Sequence, residues 1–150
     1  MPERLKKKNV LFVCIGNTCR SQMAEGYARA YGAKILNAAS AGTAALGRVS
    51  PEAIEAMQED GADVSGQQSD QITREMAEKA DLVVVLGGSP ECLYPDLLAD
   101  KTIRWPIPDP FGSPIEEFRR VRDLIKAKVT DLIIDLSRPD YSPRSSDRRE

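Results

Sequence analysis

Histidine is absent from this chain of 150 residues. That excludes Cys-His and Ser-His pairs and removes the commonest zinc ligand, leaving at most an incomplete set of three thiols for a metal. Cysteine is scarce as well. The three present, Cys14, Cys19 and Cys92, are an odd number, which argues against a disulfide framework and for functional thiols in a reducing cytoplasm. Charge of one sign is lacking, since 21 Lys and Arg face 23 Asp and Glu for a net charge of −2. Such a balance gives no support for nucleic-acid binding. Long hydrophobic runs are missing too, so no stretch reads as a membrane span. The basic Arg4-Leu5-Lys6-Lys7-Lys8 leads straight into a short strand rather than a signal peptide.

What remains is an ordinary globular composition, 41% hydrophobic and 29% charged, with one domain's worth of chain. Apolar β-branched runs at Val10–Cys14, Ile35–Ser40, Asp81–Leu86 and Thr102–Trp105 alternate with helical patterns. Ser50-Pro51-Glu52 opens one helix, Thr73 caps another through Lys79, and Ser113-Pro114 reads as the N-cap and first position of a third. That last helix carries Phe118, Val121, Ile125, Val129, Leu132 and Leu136 on one face. Strands separated by helices predict an α/β domain with a parallel sheet and right-handed crossovers. Residues 1–137 form the expected catalytic domain. Residues 138–150, rich in Ser, Arg, Pro and Asp, read as a flexible polar tail.

The chemistry concentrates where the first strand ends. Val10–Cys14 runs into Ile15-Gly16-Asn17-Thr18-Cys19, and Arg20-Ser21-Gln22-Met23-Ala24-Glu25 opens a helix. A strand, tight loop and helix start gather free N–H groups and the positive end of a helix dipole around an anion. The same field stabilises a thiolate, so Cys14 is the expected nucleophile. Arg20, six residues on, offers a planar fork for two oxygens of a tetrahedral oxyanion. A nucleotide P-loop is excluded, because its Lys-Ser/Thr pair is missing. Asp109, in Trp105-Pro-Ile-Pro-Asp109-Pro110-Phe111-Gly112, is a carboxyl on a stiff loop that could protonate a leaving oxygen. Read alone, Asp-Pro before a helix is usually turn chemistry.

Cys14-Ile-Gly-Asn-Thr-Cys19-Arg20-Ser21 resembles the signature of the low-molecular-weight protein tyrosine phosphatases. The continuation Gln22-Met23-Ala24-Glu25-Gly26, with Ser40-Ala41-Gly42, Ser69-Asp70 and Phe118-Arg-Arg-Val-Arg-Asp123, is more similar to the thioredoxin-coupled arsenate reductases of the same fold. The resemblance implies a four-stranded parallel sheet flanked by helices in a monomer. It places the oxyanion on Ile15, Gly16, Asn17, Thr18, Cys19, Arg20 and Ser21, and makes Asp109 the acid. Cys19 is either an apolar filler or, as the resemblance implies, a reversible disulfide partner of Cys14.

Cys92 separates the branches. Arsenate reduction needs a second thiol to attack the Cys14–arsenic adduct, while a phosphatase needs only water. These reductases usually carry two cysteines in this region, the first directly after the strand, where this chain has Gly87. A two-thiol relay through Cys14 and Cys92 follows, with thioredoxin or a small thiol as reductant. The expected function is arsenate reduction. The alternative is hydrolysis of phosphotyrosine or another phosphomonoester, which Gly87 and Phe111 favour, and a non-catalytic oxyanion or redox module is a third reading. The resemblance also implies a potassium ion at Asn17, Glu25, Ser40 and Asp70, oxygen donors that suit a hard cation.

Overall fold

The computed structural model describes residues 6–139. Of the expected tail, residues 140–150 lie outside the described part. The elements run β1 (Lys8–Cys14), α1 (Arg20–Gly32), β2 (Leu36–Gly42), α2 (Pro51–Glu59), α3 (Arg74–Lys79), β3 (Leu82–Val85), a 3-10 turn (Pro90–Cys92), α4 (Pro95–Leu98), β4 (Thr102–Arg104) and α5 (Ile115–Leu136). The sheet is parallel throughout, in the order β2-β1-β3-β4. None of the described helices is long and apolar enough to cross a membrane.

Alternation along β1 decides which way each side chain points. Val10, Phe12 and Cys14 join one buried cluster with Met23 and Tyr27 of α1 and with Phe118, Val121 and Ile125 of α5. Leu11 and Val13 join the other, with Val83, Val85, Ala77 of α3 and Leu98 of α4. Cys14 therefore projects onto the face that α1 covers, beneath that helix's first turn. The six apolar residues of the α5 stripe are all buried. Each such burial contributes roughly 1.5–3 kcal/mol before chain entropy is charged against it.

The sheet order also makes a crevice. Chain leaves β1 toward β2 on one side and pairs with β3 on the other, and the C-terminal edge between such strands is where α/β folds bind ligands.

One local expectation is corrected. The last helix begins one residue late, with Pro114 rather than Ser113 as its N-cap and no side-chain cap. The Ser113 amide instead donates to Pro110 O at 2.8 Å, closing a turn in which Gly112 has φ +82. The Gly87–Pro95 stretch contains the 3-10 turn and leads into α4. Pro90 and Pro95 each take a first helical position, where a missing N–H costs nothing.

Candidate active site

A cleft of about 260 Å³ opens over the end of β1, lined by Cys14, Thr18, Cys19, Arg20, Asp109 and Phe111 among others. The backbone of residues 14–19 is turned so that its carbonyls point away from this cleft. The carbonyl oxygens of Cys14, Ile15, Gly16 and Thr18 accept from the amides of Thr43, Ala44, Leu46 and Ser50, at 2.8–3.0 Å. Asn17 O accepts from Gln22 Nε2 at 2.9 Å, and Cys19 O from the Met23 amide at 3.0 Å. Among the described residues no protein acceptor is recorded for the amides of residues 15–20. Buried N–H groups seek acceptors, so the loop presents a ring of donors to an anion. The first turn of α1 adds its own orphan amides, with no side-chain cap and no acidic residue to compete.

Asn17 is the pin of the loop. It is the one described non-glycine residue with positive φ, at +48, a region that asparagine tolerates better than most. Its side chain secures that conformation. Oδ1 accepts from the Asp70 amide at 2.8 Å, while Nδ2 donates to Ser21 Oγ at 2.7 Å and Ser40 Oγ at 3.0 Å. Ser21 Oγ, which accepts from Asn17, lies 2.9 Å from Cys14 Sγ, within reach to donate its hydrogen to a thiolate there. The loop thus aims a hydroxyl at the sulfur it surrounds. At the end of β2, Gly42 allows the close approach. A β-carbon there would stand 2.5 Å from Ile15 O and 3.0 Å from Asn17 N.

Arg20 is buried, with its side chain 9% exposed. One nitrogen, Nη1, donates to Leu86 O at 2.5 Å and to Ile107 O at 2.9 Å, while Nη2 lies 3.6 Å from Asp109 Oδ2. Two carbonyls thus fix the fork from behind, leaving the Nε–Nη2 edge for an oxyanion. Asp109 is half exposed at the mouth, and its Oδ1 accepts from the Phe111 amide at 3.0 Å. Thr18 Oγ1 is buried, has no protein partner and belongs to a residue lining the cleft. Exposed Ile15, Leu46 and Phe111 form an apolar rim.

The other thiols sit apart in character. Cys19 is buried, and its thiol is pushed up to about 12, chiefly by burial. Cys92 is exposed and does not line the cleft. Its segment is tethered to β4, since Arg104 donates to Gly88 O at 3.1 Å and pairs with Glu91.

The residues expected at a potassium ion do come together, with the side-chain oxygens of Asn17, Glu25 and Ser40 already hydrogen-bonded. Glu25 Oε2 is held by Arg29 Nη2 at 2.6 Å and Nε at 2.7 Å, and Oε1 accepts from Ser40 Oγ at 2.5 Å. Asn17 turns its nitrogen, not its oxygen, toward Ser40. As arranged, this set does not fit an alkali ion.

The amides of residues 43–50 and the carbonyls of Leu86 and Ile107 carry no sequence signature, because every residue has them. Only the chain's path could reveal them.

The model of the family described as low molecular weight phosphotyrosine protein phosphatase matches residues 9–141. The chain is 44% identical over 126 residues to an arsenate reductase of Staphylococcus aureus, covering 83% of this chain and 95% of that one. It is 42% identical over 131 residues to a glutaredoxin arsenate reductase of Synechocystis, covering 87% and 99%. A solved arsenate reductase in the phosphate-binding state superposes with a TM-score of 0.76 at 40% identity, covering 86% of this chain and 98% of that one. With its parallel sheet, amide-lined loop and anchored arginine, this chain belongs to the low-molecular-weight phosphotyrosine protein phosphatase family.

Proposed function

We propose that this protein reduces arsenate to arsenite with thiols as electron donors. The observation that supports this reading is the loop itself, whose amides of residues 15–20 have no protein acceptor among the described residues, with Cys14 and the anchored Arg20 lining one cleft. Relatives above 40% identity named arsenate reductase support the choice of oxyanion.

In this reading the Cys14 thiolate attacks arsenic in line, forming a sulfur–arsenic bond. An arsenate oxygen departs as water, taking a proton from Asp109. Loop amides and Arg20 balance the charge that builds on the remaining oxygens. The Cys92 thiolate then attacks Cys14 Sγ. The sulfur–arsenic bond breaks with its electron pair going to arsenic, arsenite leaves, and a Cys14–Cys92 disulfide remains. A dithiol partner returns both thiols to the reduced state. A relative named for glutaredoxin supports a partner of that class.

Because Cys92 lies outside the cleft, the resolving step requires the 87–94 segment to swing over Cys14. Gly87 and Gly88 begin that segment, and Gly88 has φ +79, so a hinge is available at its first end.

Phosphomonoester hydrolysis is the second reading, favoured by the exposed Phe111 at the mouth and by the family's description. It uses Cys14, Arg20 and Asp109 identically, with water in place of Cys92. Replacing Cys92 with Ser separates the two. Arsenite formation should cease while aryl-phosphate hydrolysis persists. Unchanged arsenite output would refute the two-thiol route.

A further inference from the structure

We propose that Arg29, a half-exposed guanidinium on α1, is the built-in counter-cation of buried Glu25 behind the oxyanion loop, supplying the positive charge that an alkali ion would otherwise bring. The resemblance implies potassium at Asn17, Glu25, Ser40 and Asp70, but the side-chain oxygens of the first three are already engaged by protein. Glu25 is 5% exposed, and a carboxylate so buried needs a positive partner. Arg29 supplies it from the last turn of the same helix, with Nη2 and Nε both on Oε2 at 2.6 and 2.7 Å. The spacing of four residues puts both on one face, with the acid toward the N-terminus, the favourable order.

The consequence reaches the nucleophile through continuous contacts. Glu25 Oε1 accepts from Ser40 Oγ, Ser40 Oγ accepts from Asn17 Nδ2, the same Nδ2 donates to Ser21 Oγ, and Ser21 Oγ lies 2.9 Å from Cys14 Sγ. As a charged acceptor Glu25 takes the Ser40 hydrogen, which leaves Ser40 Oγ to accept from Asn17. Arg29 is therefore a positioning residue. It touches no substrate, and it keeps Glu25 ionised and in place, so that Ser40 and Asn17 hold the loop open.

Around the pair lies a cleft of about 490 Å³, lined by Glu25, Ser40, Asp63 and Asp70, with Arg29 as the one cationic side chain among its lining residues. Three carboxylates and one guanidinium make the prediction directional. Remove the guanidinium, and the cleft becomes an acidic, oxygen-lined site suited to a hard monovalent cation.

The test compares the intact protein with Arg29→Gln and Arg29→Lys. Melting temperature and the dissociation constant for sulfate are measured in potassium, sodium and tetramethylammonium chloride at equal ionic strength. The native protein and Arg29→Lys should show no potassium-specific gain over tetramethylammonium. Arg29→Gln should melt several degrees lower in tetramethylammonium chloride, bind sulfate several-fold more weakly there, and recover both in potassium chloride. A merely structural guanidinium would give a loss that no cation restores, and that result would overturn the proposal. So would a potassium-specific stabilisation of the native protein. Should Arg29→Gln fail to fold in every salt, the native protein's response to potassium still decides. None of these readouts uses turnover, so they stand or fall apart from the choice between arsenate and phosphomonoester.

Discussion

The guanidinium of Arg20 lies against the bare Cα of Gly87, so close that a β-carbon at position 87 would stand 2.8 Å from Cζ. This contact joins the loop after β1 to the loop after β3. With Arg20 anchored on Leu86 O and Ile107 O, no side chain fits. Gly87→Ala should push the fork off its carbonyls and weaken phosphate or arsenate binding by about tenfold or more, the worth of one charge-assisted hydrogen bond. Isothermal titration with phosphate measures it, and wild-type affinity in the variant would show that Arg20 is not held this way.

Asn17 combines a left-handed backbone with three side-chain hydrogen bonds, and two variants separate them. Asn17→Gly keeps the backbone free to adopt φ +48 and loses the bonds. It should cost about 2–3 kcal/mol, because buried partners are left unpaired. Asn17→Ala adds backbone strain and should be worse by about 1 kcal/mol. Urea unfolding gives both numbers, and equal losses would assign the whole effect to the side chain.

Asp109 is proposed to donate the proton that the departing oxygen needs. Asp109→Asn should slow turnover by about a hundred- to ten-thousandfold, most for poor leaving groups and least for nitrophenolate, which needs no proton. A loss independent of the leaving group would point to the Arg20 contact instead.

Cys19 makes stability sensitive to alkali. Its folded thiol is raised to about 12, against about 8.5 in an unfolded chain. The stabilising contribution is therefore complete below about pH 8.5 and declines as pH rises toward the folded value, by about 1.4 kcal/mol per unit. Tyr27, raised by burial and by its hydrogen bond to Asp60, adds a loss of the same sign above about pH 10. Denaturant midpoints of Cys19→Ala should lose the slope between about pH 8.5 and 10 and keep it above. A slope identical to wild type in that lower window would contradict the assignment.

Arg104 restrains the segment that carries Cys92, through Gly88 O and Glu91. Arg104→Gln should speed hydrogen exchange of the amides in residues 87–94 by about tenfold and raise the alkylation rate of Cys92. Exchange rates unchanged across that segment would mean another contact sets its mobility.

The order of elements and the location of the site were legible along the chain because they rest on local physics. Apolar β-branched runs bounded by Gly and Pro, Ser50 and Thr73 as caps, and the period of the α5 stripe each express a preference that a few residues settle among themselves. Cys14 and Arg20 stood out for the same reason, since strand, loop and helix start follow one another without interruption. Where that logic failed, at Ser113, a competing turn from Pro110 claimed the amide.

Position in the chain could not show what meets across it. Leu86 and Ile107 hold Arg20 over separations of 66 and 87 residues. The segment at 43–50 ties back the loop carbonyls with amides that any sequence possesses. Arg29 closes on Glu25 within one helix, yet its bearing on Cys14 appears only once β2 brings Ser40 beneath the loop. The amino-acid sequence fixed which groups could do chemistry, through their own acidity, shape and local spacing. Tertiary packing alone decided which of them face a common point, because hydrogen bonds and charges act over a few ångströms and take no account of separation along the chain.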